Sequence, residues 1–509
     1  MPSSCLQLVP SYICDVLVIG SGLAGACAAL SARQQGAEVM LLSEGSTFSG
    51  SSFSGDTWGL GTIGPQDAAD AQDLEDTILK VGSGVADPTL VHTLVSQIRP
   101  TWEWLEQAGF HLCHPQSPEQ QEYIPCFDHT VREWRGIERD SFKQGFATQF
   151  DNLHLTCLPH RLLIDLICED HRIEGAIVFD THRKRLELIA APAIVLATGG
   201  VAGLYGHHLG SDTQRGIAHV LAHKAGAHLV NLESIQLMEG FVAPKKNLVF
   251  SEKTFRYLSL DTESGKQLSQ ELLEQRSTHG PISARTGDSE VDKVIAKEGK
   301  HGCLGHYANL PAQLPELDTH YFQWLKETTG ITTSDRFRLG IYAHAENGGI
   351  LIDSYASTGV DGLYAAGECT GGMHGVDRLG GLSSANCMVF GRIAGMNAAT
   401  WAQKHRTDNR LSYESPMYCY PKASTALPLI QDNLDRYALL NRNREGLQIC
   451  MSSFTDLWDQ LNAKQVTTDN IEEVVETRIA YLELTCAIFL VSTMDKRTSG
   501  FGAHIIPDR

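Results

Sequence analysis

The chain has 509 residues, too many for one hydrophobic core, and so predicts two or three domains. A formal charge of −19 and a pI near 5.5 argue against a nucleic-acid partner, because no basic stripe is present to displace phosphate counterions. Residues 1–15 lack the basic and apolar regions of a signal peptide, and the apolar stretch 482–491 is far short of the roughly 20 residues that span a bilayer, so a cytoplasmic chain without membrane insertion is expected.

In chain order, residues 15–20 read as a short apolar strand, followed by the turn Gly20-Ser21-Gly22-Leu23-Ala24-Gly25 and an alanine-rich helix over 23–35 that ends at Gly36. A second strand over 39–42 completes a β-α-β unit, the context that gives a G-x-G-x-x-G turn its meaning: amides heading the helix hold a pyrophosphate. Glu44 stands near the usual place of the acid that binds a ribose hydroxyl, and Ser43 is equally placed to do so. A further strand over 193–197 runs into Thr198-Gly199-Gly200, with helical composition over 213–225, and another strand spans 362–366. Three strands that each end in a glycine-rich turn suit one parallel sheet with its ligand at the carboxyl edge. Residues 231–344 between the last two are polar and mixed, which predicts an inserted domain able to close over the ligand.

Residues 362–381 read GLYAAGECTGGMHGVDRLGG. Two glycine-rich turns so far apart predict one dinucleotide gripped twice, with His374 and Arg378 beside its reactive ring, and hence a redox enzyme. Glu368 is placed to accept from cofactor hydroxyls, and a helix starting near Ser383 or Ser384 points its positive end at the ring. Beyond residue 399 the pattern turns helical over 430–440 and 470–490, the latter with Asp469 and Glu472 as an N-terminal cap. Thirteen cysteines without a C-x-x-C pair predict buried free thiols and no metal site.

With these pieces placed, the blocks GSGLAG, ATGG, GLYAAGE, HGVDRLGG with FGRIAG, and RTSGFGAH follow one another in the order found in the family of succinate dehydrogenase and fumarate reductase flavoproteins and L-aspartate oxidase. The chain resembles that family over roughly residues 12 to 505, most of all its L-aspartate oxidase branch. The resemblance implies an α/β fold: a Rossmann-type FAD-binding domain over 12–230 and 345–405, an inserted α+β capping domain over 231–344, and a C-terminal helical region over 406–509. It implies FAD as cofactor. Family members with covalent flavin attach it through a histidine in the segment that here reads Ser49-Gly50-Ser51-Ser52-Phe53, so noncovalent FAD is expected, with Ser51 and Ser52 beside it.

The implied chemistry is hydride transfer between flavin N5 and a carbon next to a carboxylate, with an arginine moving a proton on the far side. Arg285 resembles that arginine, and Glu252 and Arg256 resemble its relay partners, four residues apart where the usual gap is three. An arginine can exchange a proton only where its surroundings destabilise the cation. His344 and Arg378 resemble ligands of the reacting carboxylate, and Ser251 stands where relatives use a threonine. Met238 falls where dicarboxylate-handling relatives carry a histidine, and Glu239 beside it is expected to repel an anion. The expected substrate is therefore a small organic or amino acid, not a simple dicarboxylate, whose far end is apolar, neutral or cationic. Asp128 and Glu133 are weaker candidates for contacting a substrate amine. The electron donor or acceptor is not legible. Two alternatives stay open here: the flavoprotein subunit of an electron-transfer complex with an iron–sulfur partner, disfavoured because the chain ends soon after RTSGFGAH, and a non-enzymatic flavin-binding protein.

Overall fold

The computed structural model describes residues 5–56, 58–116, 123–124, 126–283, 290–406, 411–440 and 442–496. A parallel five-stranded sheet runs in the order Leu363–Ala365, Ala193–Leu196, Val16–Ile19, Val39–Leu42, Thr156–Leu158. Its central strands, VLVI, VMLL and AIVL, are apolar and buried at every position, packed against helices Leu23–Gln34 and Leu382–Ala402 and the strand Arg172–Asp180. The strands preceding the three glycine-rich turns are adjacent, which brings all three turns to one edge. The fifth strand, three residues long, has too short a pattern to read from sequence.

Helix Leu23–Gln34 packs lengthwise on helix Leu382–Ala402. Two glycines allow the approach: a Cβ at Gly391 would stand 2.5 Å from the Ala24 carbonyl oxygen, and one at Gly395 only 2.1 Å from that of Ala28. Residues 161–190 add an antiparallel hairpin layer, Arg161–Glu169, Arg172–Asp180 and Arg185–Ala190, with Pro10–Ile13 at its edge.

Between the second and third turns lies an antiparallel sheet in the order Leu248–Val249, Ile235–Ala243, Arg336–Glu346, Cys303–Tyr307, Leu258–Asp261. Phe241, Phe250, Phe255 and Phe337 fill its core. The register between its two long strands slips: Gln236 pairs with Ala345 but Leu237 with Ala343, leaving His344 as the extra residue of a β-bulge. Three helices, Ala426–Tyr437, Arg444–Ala463 and Ile471–Asp495, pack onto the core of this same sheet. The middle one is not among the sequence expectations. The last begins one residue later than expected, with Asn470 and not Asp469 as its cap, accepting from the Glu472 amide at 3.0 Å. Among the described residues no helix is long and apolar enough to cross a membrane, and all thirteen cysteines are free thiols.

Candidate functional site

The carboxyl edge of the parallel sheet and the near face of the antiparallel sheet enclose a cavity of about 400 Å³. Its first end is built by the glycine turns. Gly20 has φ +108°, and a Cβ there would meet the Ala197 carbonyl oxygen at 2.2 Å; one at Gly25 would sit 1.7 Å from the oxygen of Gly20. Gly20, Gly22, Leu23 and Ala24 line the cavity while Gly25 lies beneath the turn. The helices that start at Leu23 and Leu382 have glycine N-caps, Gly22 and Gly381, and no side chain caps either. Their first amides therefore face the cavity as anion-binding donors. Ser383 and Ser384 line the wall at the second of these starts.

Ser43 and Glu44 border the same end. The Ser43 hydroxyl donates to the Ser46 carbonyl at 2.8 Å, and the Glu44 carboxylate is 2.7 Å from Arg215, whose other arm is 2.7 Å from Glu483 on the final helix. Ser51 and Ser52 line the cavity; Ser51 donates to Gln214 Oε1 at 3.1 Å and accepts from the Ser211 amide at 2.9 Å. Thr198 and Gly199 also line it, whereas Gly200 lies behind, packed against Glu346 and Glu368. Glu368 borders the cavity, accepts from the Gln214 side-chain amide and from the Glu346 amide at 3.2 Å, and is pushed above the usual carboxylate range by burial. His374 is buried outside the lining, its Nδ1 without a hydrogen-bond partner among the described residues.

The other end is carried by the antiparallel sheet. Arg378 is buried, and its Nη2 donates to Gln236 Oε1 at 2.8 Å while the Gln236 amide donates back to the Arg378 carbonyl at 3.2 Å. Burial lowers the Arg378 pKa, against the opposing pull of Cys126, Glu368 and Cys387. His344, set by the bulge, borders the same space with its Nδ1 unpartnered among the described residues. Burial, with Arg378 adding to it, pushes its imidazole down to about 3, so the ring is neutral at pH 7. Ser251 and Glu252 open a short 3₁₀ turn over Glu252–Tyr257 and line the wall beside Met238. Burial raises Glu252 to about 7, with Arg276 opposing.

Not every predicted residue reaches this space. Glu239 is turned to the opposite face of its strand, where Arg276 grips both carboxylate oxygens at 3.0 Å and Asp292 closes the cluster at 2.7 Å. The expectation that Glu239 repels an anion in the site is thereby corrected, because strand alternation sends it away from its neighbour Met238. Arg256 directs its guanidinium to Asp318 at 2.7 Å and over the Tyr257 ring, outside the cavity lining. Asp128 pairs with Arg132 at 2.9 Å, and Glu133 with Arg99 and Arg135; neither borders the cavity. Arg285 lies outside the described residues. Conversely, Gln236, Gln214 and Arg215, which hold Arg378, Glu368 and Glu44, carried no sequence signal beyond Gln236 standing in the block with Met238.

The donor set fits a flavin dinucleotide: one uncapped helix start after Gly22, a second after Gly381 close to Arg378, and buried polar groups between them, joined by one cavity. Residues 15–384, nearly three quarters of the chain, match the model of a family described as FAD binding domain. The chain is 28% identical over 479 residues to a fumarate reductase (CoM/CoB) polypeptide of Methanothermobacter marburgensis, covering 88% of this chain and 86% of that one. It is 26% identical over 428 residues to the L-aspartate oxidase of Yersinia pestis, covering 78% and 76%. In fold it is similar to Mycobacterium smegmatis Sdh1 in complex with UQ1, with a TM-score of 0.77, 22% identity, and coverage of 98% of this chain and 89% of that one. It is likewise similar to E. coli quinol fumarate reductase FrdA, with a TM-score of 0.78, 18% identity, and coverage of 98% and 92%.

Proposed function

The chain belongs to the FAD binding domain family and is an FAD-dependent oxidoreductase of the fumarate reductase, succinate dehydrogenase and L-aspartate oxidase type; from that premise we propose that it oxidises or reduces a small organic or amino acid at a carbon next to the carboxylate. Bound FAD supplies the two-electron hydride exchange. The observation that carries the reading is the single cavity in which the dinucleotide-binding turns meet Arg378, His344, Ser251 and Glu252. Arg378 holds the reacting carboxylate, with neutral His344 donating a further hydrogen bond. Both are fixed before substrate arrives, Arg378 by Gln236 and His344 by the bulge.

Proton movement falls to Arg285 and Glu252. A carboxyl that titrates near 7 can hold or release a proton at working pH, which suits it to stand behind an arginine that exchanges the proton with substrate. Arg256 is given no step, since its guanidinium serves Asp318. The nucleotide end is held noncovalently through the amides after Gly22, with Glu368, Ser51 and Ser52 alongside, while the helix start after Gly381 faces the ring.

The test mixes photoreduced, FAD-loaded protein with enoates and oxidised protein with amino acids in a stopped-flow spectrometer. One panel is expected to change the flavin absorbance, and Arg285→Lys to slow that change at least about 100-fold with FAD retained. No response to either panel, or full activity in Arg285→Lys, rejects the reading. Acid precipitation should release the yellow colour to the supernatant; colour in the pellet rejects noncovalent binding.

A further inference from the structure

We infer that the substrate is a monocarboxylic acid whose far end is an uncharged apolar group seated against Met238. The inference rests on the carboxylate-binding role just proposed for Arg378 and His344, and it concerns what lies one substrate length away from them. Gln236, which fixes Arg378, and Met238 are two residues apart on strand Ile235–Ala243, on the same face and roughly 7 Å from one another by strand geometry. A short acid held by Arg378 and lying along this face extends toward Met238. A dicarboxylate lying that way turns its second carboxylate toward the Met238 thioether, which donates no hydrogen bond.

Met238 shares its cavity with apolar side chains, and the charged residues of the neighbouring turn, Glu252 and Lys253, are of opposite sign. Met238 is buried and lines the same cavity as Trp58, Val249 and Leu317, the last of them 41% exposed. Trp58 is held in place by Tyr321, with ring centroids 5.0 Å apart at 73°. Ser251 adds a neutral hydroxyl at this end. Glu239, the strand's own acid, is committed to Arg276 on the opposite face, so no anion from this strand selects a cationic tail either. A buried carboxylate without paired donors carries a large desolvation penalty, whereas each methylene laid on this surface binds more tightly.

The measurement is equilibrium binding to the FAD-loaded full chain, read by perturbation of the flavin spectrum and by calorimetry, with succinate, butanoate and hexanoate as probes. Affinity is expected to rise from succinate to butanoate to hexanoate, with hexanoate at least about tenfold tighter than succinate. Met238→His should shrink that ratio by about tenfold or reverse it. Succinate binding as tightly as hexanoate to the natural protein overturns the inference while leaving the Arg378 reading standing, and its loss in Lys253→Met would assign the second carboxylate to Lys253, which also borders the cavity. If none of the three acids binds, while FAD remains in place, the carboxylate reading falls and this inference falls with it. Should Met238→His fail to fold, the ratio in the natural protein decides alone.

Discussion

Glu252 is a buried carboxyl poised near 7, and its charge state has a cost for the fold as well as a use in proton transfer. Its ordinary value is about 4.5, so between pH 4.5 and 7 the folded chain binds a proton that the unfolded chain has released. Stability from this group is thus complete below about 4.5 and is lost as pH rises through about 7. Glu252→Gln should be more stable than the natural protein at pH 8, on the order of 1–3 kcal/mol, and nearly equal to it at pH 5, as urea midpoints at the two values would reveal. An equal gap at both values would contradict the shift. The polar groups at this end differ in how far they could be read. Arg378 and His344 stand in glycine-flanked blocks that resemble those of the family, and that resemblance is what marks them. The direction of Glu239 depends on Arg276, 37 residues away, and no local pattern encodes that partner. The same holds for Arg256, whose partner Asp318 lies on a separate helix.

Elements divided along a similar line. The buried parallel strands were legible because continuous apolar runs bounded by glycine have few alternatives. Thr156–Leu158 was not, being three residues of mixed polarity that pair with Met40–Leu42 only in the folded sheet. Helix Arg444–Ala463 has a narrow apolar stripe, Leu447, Cys450, Phe454, Leu457 and Leu461, whose meaning depends on the two helices beside it. The bulge at His344 is likewise a property of two strands together. At the start of the final helix the correct cap can be tested directly. Asn470→Ala should lower stability by about 1 kcal/mol, whereas Asp469→Ala should leave it within about 0.5 kcal/mol, both measured by chemical denaturation. The reverse order would restore Asp469 as the cap.

Across the whole molecule, the nucleotide end of the cavity and the C-terminal helices are tied by one cation. Arg215 spans Glu44, at the end of the second parallel strand, and Glu483, buried on helix Ile471–Asp495. Glu483 is raised by burial to about 7, with Arg215 opposing. Arg215→Met leaves that carboxylate unpaired, so a loss of about 3–5 kcal/mol is expected at pH 8 and a smaller one at pH 5.5, where the group takes up a proton. Thermal unfolding at the two pH values would measure it, and a loss independent of pH would exclude Glu483 as its source.

The two helix starts at Gly22 and Gly381 carry a cost of another kind. Backbone donors that no side chain of the protein satisfies favour the folded chain only when a dianionic ligand arrives to meet them. Maturation should then track vitamin supply: cells starved of riboflavin should accumulate this polypeptide in protease-sensitive form, and adding FAD to the lysate should rescue it.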